Sequence, residues 1–143
     1  MIVIDANVVS ETVRREPDPK VVAWLDAQTT ETLYISAVSM AELLLGVALL
    51  PEGRRKAALD AALQHQVVSL FGSRILPFDL AAAKAFASLI AAARTAGRAI
   101  GTADGQIAAT ALSVGMAVAT RDVAPFEGAG LTVINPWLYE AVR

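Results

Sequence analysis

Cysteine is absent from the sequence, which removes disulfide bridges and thiolate nucleophiles together. Histidine occurs once, at position 65 in the polar run Gln64-His65-Gln66, so paired-histidine acid–base chemistry is excluded and His65 is expected in solvent. Basic residues are scarce: 12 Lys and Arg against 14 Asp and Glu leave a net charge of −2. That balance by itself does not suggest nucleic acid, because non-specific affinity comes largely from neutralised phosphates. Long apolar runs are also missing. The longest uncharged stretch, 105–120, falls short of about 20 apolar residues and contains Gly105, Gln106, Thr110 and Gly115, so no membrane span is expected. The opening MIVIDANVVSE has no basic segment and carries an acid at position 5, unlike a secretory signal. A cytoplasmic protein is the expectation.

Apolar side chains, by contrast, are abundant. They make up 55% of the 143 residues, above the roughly 45–50% of average soluble domains even with glycine included. The length suits one domain, expected to span 1–143, with a real core. The surplus gathers at Val8, Val9, Val13, Leu43 to Leu45 and Val47 to Leu50, more than one helical face can hold. Core accounts for part of it. The rest implies a covered surface, either a groove for an amphipathic partner helix or a dimer face.

Residues 1–4 read as a buried strand ended by Asp5. Asp18 with Pro19 opens a helix through 20–28, and 32–35 reads as a strand. Ser36 caps a helix over 37–50; Pro51 and Gly53 interrupt it, and a second helix runs from Arg54 to about Leu70. A strand over 74–78 precedes an alanine-rich helix capped by Asp79 and closed by Gly97. Thr102 is expected to cap a helix over 103–114 that Gly115 closes. A strand over 116–119, a loop over 120–130 and a strand over 131–134 complete the chain. Short apolar strands alternating with helices predict an α/β domain: a mainly parallel sheet of four to five strands with helices on both faces.

Most of the acids sit in caps or polar stretches, but four do not. Asp5 directly follows Met1-Ile2-Val3-Ile4; Glu42 is the only charge between Thr32 and Pro51; Asp104 is the only one between Ala99 and Thr120; Asp122 lies two residues beyond Ala119. Taken singly, each has a plain account as a helix cap, a surface glutamate, a first-turn acid favouring the helix dipole, or a turn residue. Together they fall where one topology can gather them, at the carboxyl ends of parallel strands, where ligands bind in open α/β sheets. Four converging negative charges repel, by about 1 kcal/mol for each pair 4 Å apart even in water. Cations or protons must offset this. Oxygen donors without His or Cys suit Mg²⁺ or Mn²⁺, and such a site supports phosphodiester hydrolysis.

The ordered motifs Asp5-Ala6-Asn7, Ser39-x-x-Glu42-Leu43, Asp104-Gly105-x-Ile107-Ala108-Ala109 and Thr120-Arg121-Asp122 resemble the PIN-domain toxins of the VapC type. Residues 21–26, 74–79 and Asn135-Pro136-Trp137 resemble the FitB-like subgroup. The resemblance implies a PIN-like three-layer α/β/α fold and a Mg²⁺- or Mn²⁺-dependent endoribonuclease, the toxin of a type II toxin–antitoxin pair. Asp5, Glu42, Asp104 and Asp122 are then metal-binding and catalytic, with Asn7 and Thr120 in support. Implied partners are a cognate antitoxin, an RNA substrate and a second copy of the chain, with operator DNA reached only through the antitoxin.

Arg121 is a candidate contact for an RNA phosphate, with a surface salt bridge as its ordinary role. The basic run Arg54-Arg55-Lys56 reads as a solvated helix start, and Trp24 and Trp137 as core or interface. Two rival functions stand beside the ribonuclease. One is a phosphatase with Asp5 as nucleophile, against which Asn7 stands where a second aspartate is expected. The other is a non-catalytic module whose acids only receive an antitoxin side chain.

Overall fold

The computed structural model describes residues 1–142. Strand β1 (Ile2–Ile4) pairs in parallel with β2 (Leu33–Ser36) on one side and β4 (Ala117–Ala119) on the other. β3 (Ile75–Leu76) adds beyond β2, and β5 (Val133–Ile134) beyond β4, giving a five-stranded parallel sheet in the order β3-β2-β1-β4-β5.

Alternation along each strand sorts the side chains into two cores. Ile4, Leu33, Ile35 and Ala119 point to one face, where they meet Val8, Val21, Trp24, Met40, Leu63 and Phe71. These come from α1 (Ala6–Thr12), α2 (Pro19–Asp26), α3 (Ala37–Ala48) and a π-helical segment, Leu63–Val68, between α4 (Arg54–Ala62) and α5 (Ser69–Phe71). Val3 and Val118 point to the other face and meet Leu89, Ile107, Ala108, Ala111 and Phe126. Those belong to α6 (Leu80–Thr95), α7 (Thr102–Val114) and α8 (Val123–Glu127). A strand buried on both faces must be apolar at every position, which is why β1 reads as a continuous run. Gly105 lies where a Cβ would come within 3.0 Å of Ile90 Cδ1, so its lack of side chain lets α7 close on α6.

Several caps follow the sequence. Asp18, Ser36 and Asp79 accept hydrogen bonds from the backbone N–H of Lys20, Ser39 and Ala82, and Gly97 and Gly115 take positive φ after α6 and α7. Four expectations are corrected. Thr102 is the first helical residue rather than the cap, and Gly101 holds the N-cap position with no side-chain bond. The stretch 120–130 contains α8, where Pro125 is tolerated because a first-turn residue needs no amide donor. The third strand is confined to Ile75–Leu76, because a 3₁₀ turn takes 72–74 and the Arg74 guanidinium bonds to the carbonyls of Thr30, Leu33 and Leu70. The last strand begins at Val133 rather than at Leu131.

The apolar surplus divides much as its composition demands. Val8 and Val9 are core, whereas Val13, Leu44, Leu45 and Leu49 stand exposed. No helix of the described residues is long and apolar enough to cross a membrane.

Candidate active site

The chain builds β1, β2 and β3 outward in one direction and then returns to the other side of β1 for β4 and β5. The direction of sheet growth reverses between β1 and β4, and the crevice at the carboxyl ends of two such strands is the usual ligand position in open α/β sheets. Asp5 is the residue after β1, and Thr120 is the residue after β4.

Thr120 joins these two strand ends. Its side chain is fully buried. The hydroxyl donates to Asp5 Oδ2 at 2.8 Å and accepts from Asn7 Nδ2 at 3.2 Å and from the backbone N–H of Asp122 at 3.1 Å. The other Asp5 oxygen, Oδ1, accepts from the Ala6 N–H at 2.7 Å and caps α1. Asp5 is therefore both a helix cap and the centre of a buried polar network. Thr120 bonds to Asp5 directly, and Asn7 joins the network through Thr120.

The remaining acids reach the same place from separate elements. Glu42 comes from the middle of α3, Asp104 from the first turn of α7, and Asp122 from the start of α8. Their proximity shows in their titration. Burial raises the Asp5 carboxyl, the bonds from Thr120 and Ala6 oppose it, and the charge on Asp122 adds to the rise. Glu42 is raised by burial and then by Asp5 and Asp104; Asp104 is raised by burial and then by Asp5 and Asp122. Asp5, Glu42 and Asp104 thus each feel at least one other acid of the set. Ser39, which the sequence places only in a motif, has its hydroxyl close enough to Asp5 to pull that pKa back down. The Ser36 hydroxyl donates to Ser39 Oγ, so the β2 terminus orients this contact.

The donor set suits a hard divalent cation, since every candidate donor is a carboxylate oxygen. Among the described residues, no group of three or more Asp, Glu, His or Cys side chains is drawn together tightly enough to hold an ion directly. The two observations are compatible. Mg²⁺ usually keeps several waters and is gripped through one or two carboxylates, and uncompensated carboxylates hold one another apart.

A cleft of about 600 Å³ adjoins the acids; Glu42, Asn7 and Arg121 line it, together with Leu43, Val47, Leu63 and Val67, whereas Asp5, Asp104 and Asp122 do not. Among the described residues Arg121 forms no salt bridge; its guanidinium carbon lies 5.3 Å from the centre of the Trp137 ring. Trp24 is core and His65 is exposed, as expected. Lys56 is held by Glu52 at 2.8 Å and by the Ala48 carbonyl at 3.0 Å. Glu11 departs from expectation. It is buried, accepts from the Asp18 N–H at 2.9 Å and pairs with Arg14 at 3.2 Å. The Asp18 N–H and then Arg14 hold its carboxyl below the ordinary glutamate value.

The sequence model of the PIN domain matches residues 2–129. The VapC ribonuclease Y4jK of Sinorhizobium fredii is 53% identical over 137 residues, covering 96% of this chain and 98% of its own. Toxin FitB of Neisseria gonorrhoeae is 47% identical, covering 96% of this chain and 99% of its own. The crystal structure of FitAcB from Neisseria gonorrhoeae superposes with a TM-score of 0.94 at 47% identity, over 97% of this chain and all of that one. The structure of FitAB bound to an IR36 DNA fragment gives a TM-score of 0.94 at 45% identity, with both chains fully covered. The chain belongs to the PIN-domain family, in its VapC-type, FitB-like branch.

Proposed function

We propose that this protein is a Mg²⁺- or Mn²⁺-dependent endoribonuclease and the toxin of a type II toxin–antitoxin pair. One observation carries the chemistry. Asp5, Glu42, Asp104 and Asp122 come from four separate elements and are coupled at the point where the sheet reverses its growth. Mutual repulsion of this kind is offset by a cation, which also reverses the upward pKa shifts and leaves the acids ionised at neutral pH.

One or two of these four acids would hold the ion directly and the others through its waters; when bound, the ion supplies an activated water and charge stabilisation on the phosphoryl group. Asp5 is fixed by bonds to both its oxygens, so it presents its remaining lone pairs in one orientation. The same bonds disfavour it as an aspartyl nucleophile, and Asn7 is spent on Thr120 rather than on proton transfer. Thr120 ties the backbone of Asp122 to Asp5 and so keeps the two strand ends in register. Arg121, next along, supplies positive charge on the path of the RNA.

RNA as substrate follows from the kinship to a VapC ribonuclease. A protein antitoxin as partner, and operator DNA reached through it, follow from the kinship to the FitAB and VapBC complexes, some of them DNA-bound. A homodimer and a cytoplasmic location belong to the same proposal, as does one folded domain over the whole chain. Incubation with cellular RNA and Mg²⁺ or Mn²⁺, followed by sequencing of new 5′ ends, is expected to yield defined cuts that EDTA abolishes. Asp5→Asn and Asp104→Asn are expected to lose cleavage while still binding the partner encoded beside the toxin. Variants that cut as fast as the parent would refute the four-carboxylate assignment.

A further inference from the structure

A cluster of acids repels the backbone of any nucleic acid, and a chain of net charge −2 has no broad positive field to overcome this. A cation fixed beside the acids is therefore needed to seat a phosphate. Arg121 has that position. Its neighbour Thr120 bonds to Asp5, its own backbone N–H approaches Asn7 Oδ1 at 3.5 Å, and it lines the cleft with Glu42. Among the described residues its guanidinium has no ion-pair or hydrogen-bond partner, whereas Arg14 on the same cleft is committed to Glu11.

What Arg121 does have is the Trp137 ring, 5.3 Å from its guanidinium carbon. At 5.3 Å the guanidinium lies within cation–π range of the ring, and among the described residues its N–H donors are unpaired, free for the phosphate oxygens that arginine binds bidentately. The ring contact also restricts the side chain before binding, so less freedom is lost when the phosphate arrives. Trp137 is itself anchored. It sits in a 3₁₀ turn, Pro136–Leu138, whose first residue is buried, and its N–H donates to Asn135 Oδ1 at 3.0 Å. That turn lies beyond residue 129, where the family match ends.

We propose that Arg121 is a clamp for the phosphate next to the scissile bond, with Trp137 as the positioning residue that holds it. The proposal rests on the ribonuclease reading given above. The C-terminal turn thereby becomes part of the substrate site rather than a closing piece of the fold.

The test is steady-state cleavage of a labelled single-stranded RNA that spans a mapped cut, with melting temperature measured alongside. Arg121→Ala should raise KM about tenfold, the ordinary effect of losing a charged hydrogen bond, with kcat little changed. Arg121→Lys should fall between, since it keeps charge without the fork. Trp137→Ala should raise KM about threefold and Trp137→Phe by less. The double variant should be no worse than Arg121→Ala, because the tryptophan acts through the arginine. The salt dependence of RNA binding should lose about 0.7 in slope in Arg121→Ala.

Parental KM and salt slope in Arg121→Ala overturn the proposal, as do Arg121 and Trp137 effects that simply add. If Trp137→Ala does not fold, the arginine variants and Trp137→Phe decide. If RNA kinetics hold while the partner protein binds more weakly to Arg121→Ala, the pair belongs to protein docking and the proposal is wrong. A parent that cuts no RNA overturns the ribonuclease reading and this proposal with it; a cutting parent with unaffected variants overturns this proposal alone.

Discussion

Glu42→Gln separates repulsion among the acids from every other contribution they make. Glu42 is exposed in the middle of α3 and, among the described residues, its side chain makes no hydrogen bond or ion pair and caps nothing. Gln has nearly the same shape and helix propensity. The substitution therefore removes only a charge, one whose carboxyl is raised by partial desolvation and then by Asp5 and Asp104. At separations on the order of 7 Å, each such pair is worth about 0.6 kcal/mol in a water-like dielectric. Two pairs give about 1.2 kcal/mol, which solvent screening at this exposed site reduces to between roughly 0.5 and 1 kcal/mol. For a chain of this size that is a rise of about 2–3 °C in Tm.

The measurement is a thermal melt in EDTA at low salt and pH 7, repeated at high salt and at lower pH. Because the folded pKa of Glu42 is raised, the destabilisation is fully present above that pKa. It vanishes below the unfolded value of about 4.3, where the parent is protonated as well. The advantage of Glu42→Gln should fade in both high salt and acid. With Mg²⁺ or Mn²⁺ added the order should invert, since the parent gains more from a ligand bound only to the folded state. A variant that melts at or below the parent in EDTA and low salt would show that the acids are not in repulsive contact.

Thr120→Val should lower stability by about 2–3 kcal/mol, because it strips the Asp5 carboxylate of a donor and the Asn7 amide of an acceptor in a buried setting; a chemical denaturation curve reads this directly. Asp104→Asn should leave Tm within a few degrees while abolishing cleavage, since relief of repulsion offsets the lost first-turn charge at the α7 N-terminus. Glu11→Gln should destabilise the protein at neutral pH. The stabilisation from Glu11 is present above the ordinary glutamate pKa and is lost as pH falls through its depressed folded value, so the gap between variant and parent should close in strong acid. Metal affinity, followed by the ion-induced rise in Tm, should weaken as pH drops, since protons compete for the same raised carboxylates.

What could be read in the sequence was whatever depends on neighbours along the chain. β1 announced itself as an apolar run, and Asp18, Ser36 and Asp79 announced helix starts, because cap chemistry acts over two or three residues. The four acids stood out because their flanks were apolar. Their gathering follows in the sequence only from their places at strand ends and in the flanking helices of an α/β topology. What could not be read depends on distant partners. Glu11 looked like an ordinary surface acid because the donor that buries it, the Asp18 N–H, belongs to a later turn. The third strand loses its first residue to the turn that holds Arg74, whose carbonyl acceptors include Thr30 and Leu33 in an earlier segment.

The same division explains why net charge misleads about substrate. A charge count treats every arginine alike, yet the three on the cleft are not equivalent. Arg14 is neutralised by Glu11, and Arg55 stands on the wall that α4 provides. Only Arg121 combines a place next to Thr120, which bonds to Asp5, with an aromatic ring beside its guanidinium. Phosphate recognition at a catalytic centre needs one oriented cation next to the reacting bond more than it needs a basic surface, because a bound divalent ion takes up most of the remaining charge. An acidic chain can therefore act on RNA. The corollary is that RNA binding by this protein should depend steeply on Arg121 and on divalent ions, and only weakly on Arg54 and Lys56.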